Sequence, residues 1–198
     1  MMIKAIIFDH GGVLSVSGSL EEMGNEYAAR FGADAAKFNK MIIDNWLEAR
    51  CGKADSRNFW KNLAAFIGSN PAELKKEFIR ISGMRHDVFE LAKKLKGRYK
   101  LGILSNQIED WLEDVIKKHS MDEVFDAIVT SYGTGFAKPD ARIYREIVKK
   151  LRVKPEECVF IDDLETSMPP AKKLGMKTIL FKDTEQLKND LKKLGVKF

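Results

Sequence analysis

Five short apolar runs punctuate the chain: Ile3 to Phe8, Tyr99 to Leu104, Phe125 to Thr130, Cys158 to Ile161 and Lys177 to Phe181. Each is too short for a helix and nearly continuous in apolar residues, the pattern of a strand buried on both faces of a parallel sheet. Between them, apolar positions recur with helical spacing. Ile108, Trp111, Leu112, Val115 and Ile116 fall on one face, as do Ile143, Tyr144, Ile147, Val148 and Leu151. The second of these stripes follows Asp140, a side chain able to cap a first turn. Met168, Ala171 and Leu174 make a third stripe, in which Pro169 and Pro170 are tolerated because first-turn amides have no helical partner to lose. Repeated alternation of strand and helix predicts an α/β chain with a doubly wound, three-layer arrangement around five parallel strands.

One segment interrupts the alternation. Between Gly12 and about Gly83 the pattern contains no convincing strand and four helical stripes. The first, Ser19 to Phe31, opens with a capping box of Ser19 and Glu22 and is expected to bury Leu20, Met23, Tyr27 and Phe31. Phe38, Met41, Ile42, Trp46 and Ala49 form the second stripe, and Phe59, Trp60, Leu63, Phe66 and Ile67 the third. The fourth begins at Asn70 and Pro71 and carries Leu74, Phe78 and Ile81. An all-helical insert directly after the first strand predicts a small four-helix cap domain over residues 15–83, with residues 1–14 and 84–198 forming the core domain. Its aromatic residues sit at packing intervals, so they are expected to be internal core.

Composition narrows the classes. The 198 residues suit one α/β domain with a small insertion, and 44% hydrophobic with 32% charged residues is ordinary for a globular protein. The net charge of +5 is mild, and its lysines fall in pairs on helix exteriors, so no nucleic-acid partner is expected. Cys51 and Cys158 lack metal-ligand spacing and are expected to be free thiols. No run is long enough to span a membrane and no signal sequence precedes the first strand, which predicts a cytoplasmic protein with no membrane partner. The pattern leaves the oligomeric state open.

In a doubly wound sheet, sites form beyond the carboxyl ends of the strands. The first strand ends in Asp9, the second in Ser105 and Asn106, and the fourth in Asp162 and Asp163, while Lys138 lies in the loop after the third. Carboxylates from two strands can hold a hard cation such as Mg²⁺. A lysine and a strand-end hydroxyl can stabilise a transferring phosphoryl group. An aspartate beside such a metal can itself attack phosphorus. Adjacent acids at Asp162 and Asp163 repel unless a cation or donors compensate, which makes them hard to explain as a turn alone. Gly11 and Gly12 lack the third glycine and the helix placement of a dinucleotide loop. His86 and His119 are expected to be surface or capping residues, and Asp140 only a cap.

The segments FDHGG, LSN, AKPD and FIDD, in this order, resemble the signature blocks of the haloacid dehalogenase-like hydrolases, and the wide first gap resembles the subgroup with a helical cap inserted after the first block. The resemblance covers essentially the whole chain and implies a Rossmann-like core and Mg²⁺ as cofactor. It further implies Asp9 as the nucleophile, Ser105 as a phosphate-binding hydroxyl followed by Asn106, and Lys138 as a clamp on nucleophile and phosphate. Asp163 would ligate the metal directly, with Asp162 beside it in the outer shell, and Asp9 and the Gly11 carbonyl would complete the set. Two positions depart from the family pattern. Gly11 stands where phosphatases usually carry a second aspartate, the general acid and base, and Ser167 stands where Asn or Asp is common; the serine is expected to cap the next helix. Loss of a general acid costs typically ~10²–10⁴ of an acceleration that can reach ~10²¹ for phosphate monoesters, so most of the catalysis survives. The implied activity is therefore a phosphatase of a small phosphorylated metabolite such as a sugar phosphate. His10 is adjacent and titrates in a suitable range, with a packing or solvent role expected ahead of proton transfer. The alternatives are a 2-haloacid dehalogenase using the same nucleophile, and a catalytically impaired member that binds a ligand or a protein.

Overall fold

The computed structural model describes residues 2–16 and 19–198. Strands β1 (Ala5–Phe8), β2 (Lys100–Ser105), β3 (Ala127–Thr130), β4 (Cys158–Asp162) and β5 (Lys177–Leu180) form one parallel sheet in the order β3-β2-β1-β4-β5. All five expected strands are present, with shifted ends. Phe125 and Asp126 fall outside β3 because α7 (Met121–Val124) closes its last turn on Phe125, whose ring packs edge-on against Phe8, and the short α8 (Ser131–Thr134) follows β3 directly.

Alternation along the strands builds two core layers. Ile6, Phe8, Ile103 and Ile161 face one side, covered by α5 (His86–Leu95), α6 (Glu109–His119) and α11 (Thr184–Lys193). Ala5, Ile7, Leu104 and Phe160 face the other, covered by α9 (Ala141–Leu151) and α10 (Met168–Lys173). Asp140 caps α9 as expected, its carboxylate accepting from the Arg142 amide. Ser167 does not cap α10. The second and third residues of that helix are Pro169 and Pro170, which have no N–H to offer a capping hydroxyl; Ser167 instead accepts the Tyr144 hydroxyl on its carbonyl at 2.8 Å.

The four helices expected between β1 and β2 are α1 (Leu20–Phe31), α2 (Ala35–Ala49), α3 (Ser56–Ile67) and α4 (Pro71–Ser82), capped by Ser19, Asp34, Asp55 and Asn70. Phe31 and Phe66 are exposed rather than buried: each lies in the last turn of its helix, and each covers one face by stacking, on Tyr27 and Phe38 respectively. Trp60 and Phe78 pack against Trp111 of α6, and Lys75 pairs with Asp110 and Asp114 of the same helix at 2.9 and 2.7 Å, so one flank of the segment is seated on the sheet's covering layer. The connections into and out of the segment run side by side. The Val16 amide bonds the Ser82 carbonyl, the Arg85 amide bonds Leu14, and Ser15 bridges Met84. No helix among the described residues is long and apolar enough to cross a membrane.

Candidate active site

Sheet order decides where the acids meet. β1 lies between β2 and β4, with Phe8 in register with Ile103 on one side and Ile161 on the other. The residues following each strand therefore emerge together at the carboxyl edge, where the strand order reverses. The Asp9 amide still bonds the Ile161 carbonyl at 2.8 Å, which fixes Asp9 against the end of β4. Beyond it, residues 10–14 make one wide turn closed by the Ser15 amide on the His10 carbonyl. Gly12 turns the chain at a φ of +73°, and the Asp163 carboxylate occupies the space a side chain there would need.

Carboxylate oxygens of Asp9, Asp162 and Asp163 lie within 4.8 Å of one another. Asp162 is 0% exposed, Lys138 5% and Asp9 6%. The Lys138 ammonium reaches into the cluster, 2.8 Å from Asp9 Oδ1 and 2.6 Å from Asp162 Oδ2. Asp162 spends its other oxygen on the Leu164 amide at 2.8 Å, so both of its oxygens are engaged by the protein. The loop that brings Lys138 in is held by Asn106, whose side-chain amide accepts from the Lys138 N–H at 2.8 Å and donates to its carbonyl at 2.9 Å.

One lysine does not balance three acids. Burial pushes the Asp9 carboxyl up to about 7, with the Asp162 and Asp163 charges adding to the effect and Lys138 opposing it. Burial and then Asp162 likewise raise Asp163. Burial alone would lower Lys138, but the two carboxylates overcome it and hold the ammonium above the ordinary lysine range. Acids this close together, served by one cation, fit a hard divalent ion, which favours oxygen ligands and would draw Asp9 and Asp163 into their charged form.

The acids open into a cavity of about 310 Å³. Asp9, Gly11, Asn106, Lys138 and Asp163 line it, and so do Leu20, Met23, Trp46 and Arg50 from α1 and α2. Ser105 is buried at the end of β2 and is not among the lining residues; Asn106 and Gln107 carry the wall there. His10 also lines the cavity and is buried, its Nε2 without a hydrogen-bond partner among the described residues, and desolvation lowers its pKa to about 4. His86 is exposed at the start of α5, and His119 closes the last turn of α6. Cys51 and Cys158 are free thiols. Gln107 was within reach of the sequence, since it continues the strand-end reading by one residue. Trp46 and Arg50 carry no such signal, because their place follows from how α2 crosses the strand ends.

The chain belongs to the haloacid dehalogenase-like hydrolases, whose family model matches residues 3–175. It is 26% identical to bifunctional epoxide hydrolase 2 of Rattus norvegicus over all of this chain but 40% of that protein, so it spans less than half the length of that relative. It is 25% identical to the glyceraldehyde 3-phosphate phosphatase of Methanocaldococcus jannaschii, across 90% of this chain and 84% of that one. The fold also matches a HAD family enzyme of Bacteroides thetaiotaomicron crystallised with magnesium and inorganic phosphate, with a TM-score of 0.70 and 21% identity over 91% of this chain and 94% of that chain.

Proposed function

We propose that the protein is a Mg²⁺-dependent phosphatase of a small phosphorylated metabolite, working through a phospho-Asp9 intermediate, with residues 15–83 acting as a cap over the substrate. The observation that carries this reading is the Lys138 ammonium bridging Asp9 and Asp162 beside Asp163, at the mouth of a cavity that a substrate can enter. Asp9 attacks phosphorus through a carboxylate oxygen, the P–O bond to the leaving alcohol breaks, and an acyl phosphate forms; water then attacks that phosphorus and releases inorganic phosphate with Asp9 restored. Lys138 opposes the burial that favours a protonated Asp9 and faces the charge that develops on the phosphoryl oxygens. Asp9, Asp163 and the Gly11 carbonyl, with Asp162 behind them, would hold Mg²⁺, which would supply charge neutralisation at the phosphoryl group. Asn106 lines the phosphate end of the site, with the Ser105 hydroxyl buried behind it. Gly11 offers no carboxyl to protonate the leaving group. His10, neutral at pH 7 because of its lowered pKa, is no imidazolium donor. The enzyme is therefore expected to favour leaving groups that need little protonation.

The magnesium and phosphate of the Bacteroides fold neighbour and the phosphatase of Methanocaldococcus support this reading. A cavity of about 310 Å³ suits a small phosphorylated metabolite. Hydrolysis of p-nitrophenyl phosphate, with and without MgCl₂, tests the proposal: turnover should require Mg²⁺ and disappear in Asp9→Asn. Metal-free halide release from 2-chloropropionate in place of phosphate release would make the protein a dehalogenase instead.

A further inference from the structure

The cavity carries a second set of hydrogen-bond donors, at Arg50 and Gln107, that the phosphoryl chemistry does not use. Arg50, the residue that caps the C-terminus of α2, lines the cavity, and its guanidinium stands 4.7 Å from the centre of the Trp46 ring. Among the described residues it makes no ion pair, in contrast to Lys138. The Trp46 indole N–H donates to Gln107 Oε1 at 3.1 Å, and the Ile108 amide donates to the same oxygen at 2.9 Å. With both lone pairs of that oxygen engaged, the Gln107 side chain is fixed in orientation, and its amide nitrogen is left with donors that have no acceptor among the described residues.

Stacking on Trp46 and the negative end of α2 account for where Arg50 lies. They do not account for a guanidinium and a pinned amide lining one cavity with no acidic side chain of the protein to meet them: the cavity's only acids, Asp9 and Asp163, belong to the catalytic cluster. The geometry points to a distal anion subsite, in which Arg50 and Gln107 Nε2 bind a carboxylate or second phosphate at the end of the substrate remote from the reacting phosphorus. This rests on the phosphatase reading and narrows it to small phosphomonoesters that carry a second anionic group. A planar carboxylate matches the fork of the guanidinium.

Titration calorimetry in MgCl₂ with phosphonoacetate, 3-phosphonopropionate and 4-phosphonobutyrate, each against the alkylphosphonate of equal length, tests the subsite without turnover. At least one carboxylate should bind about tenfold or more tightly than its alkyl counterpart. Arg50→Gln should reduce that ratio to within about twofold, Arg50→Lys should restore part of it, and Gln107→Glu, which keeps both accepted bonds and replaces the free amide by a charge, should reverse it. No preference in the unaltered protein, failure of every phosphonocarboxylate to bind, or a preference that persists in Arg50→Gln overturns the proposal. Hydrolysis of p-nitrophenyl phosphate by the unaltered protein is measured alongside. Its absence would sink the phosphatase reading while the binding ratio still decides the subsite.

Discussion

The side chain of Asn106 bonds both backbone groups of Lys138, accepting from its N–H and donating to its carbonyl. A residue at the end of β2 thereby sets where the one buried ammonium of the site can stand. Replacing it by alanine removes two partly buried hydrogen bonds, each contributing about 0.5–1.5 kcal/mol. Asn106→Ala is expected to lower the melting temperature by several degrees and to lower kcat more than it raises KM. A loss confined to stability, with kcat intact, would show that Lys138 is placed by the rest of the loop.

Lys138 is also structural. Lys138→Met leaves Asp9 and Asp162 buried with no cation between them, and breaking a buried pair on one side costs about 3–5 kcal/mol. Asp9, already raised by burial and lowered by Lys138, then takes up a proton still more readily in the folded state than in the unfolded one. The variant's stability should therefore rise as pH falls from 7 toward 5, opposite to the usual acid destabilisation. Chemical denaturation across that range checks the sign.

Gly12 and Gly32 both have left-handed backbone, at φ +73° and +64°, but only Gly12 faces the Asp163 carboxylate, while Gly32 faces open space. Alanine at either position meets the backbone cost of about 1 kcal/mol. Gly12→Ala must in addition displace Asp163. The proposed metal site predicts a rise in melting temperature in MgCl₂ through binding of the folded state; Gly12→Ala should abolish that rise, whereas Gly32→Ala should keep it in full.

His10 contributes to stability in the opposite sense from Asp9. Its pKa falls from 6.5 to about 4 on folding, so the unfolded chain binds the extra proton between those values, and stability is lost as pH drops through that window. Asp9, raised on folding, gains stability over much of the same window. The two trends cancel in part, so the measurement is a difference. With chelator present, the unaltered protein should lose roughly 2 kcal/mol more than His10→Gln between pH 7 and pH 5. Parallel curves would mean the ring is hydrated in the folded state.

Much of this architecture is visible in the residues themselves, for identifiable reasons. Strands buried on both faces must be continuously apolar, so β1, β2 and β4 announce themselves, and the acids that end them are then conspicuous. Asp34, Asp55 and Asn70 start helices with the side chains such starts require. Helix α5 escapes the same reading because Arg85, at its cap position, offers no capping hydrogen bond, and α11 escapes because it buries only Thr184, Leu187 and Leu191. Ser167 misleads because the prolines after it cancel the reason a serine caps a helix. Arg50 and Trp46 could not be singled out at all: nothing near them in the chain distinguishes them from other residues of an amphipathic helix, and their meaning arises only when α2 crosses above the strand ends.

The paired strands at Leu14 to Val16 and Ser82 to Arg85 give the helical insertion a single stem. Everything between departs from and rejoins the sheet at one spot, so the insertion can be lengthened, rebuilt or exchanged for another while Asp9, Lys138, Asp162 and Asp163 keep their positions. A scaffold joined in this way can acquire a new clientele without relearning its chemistry.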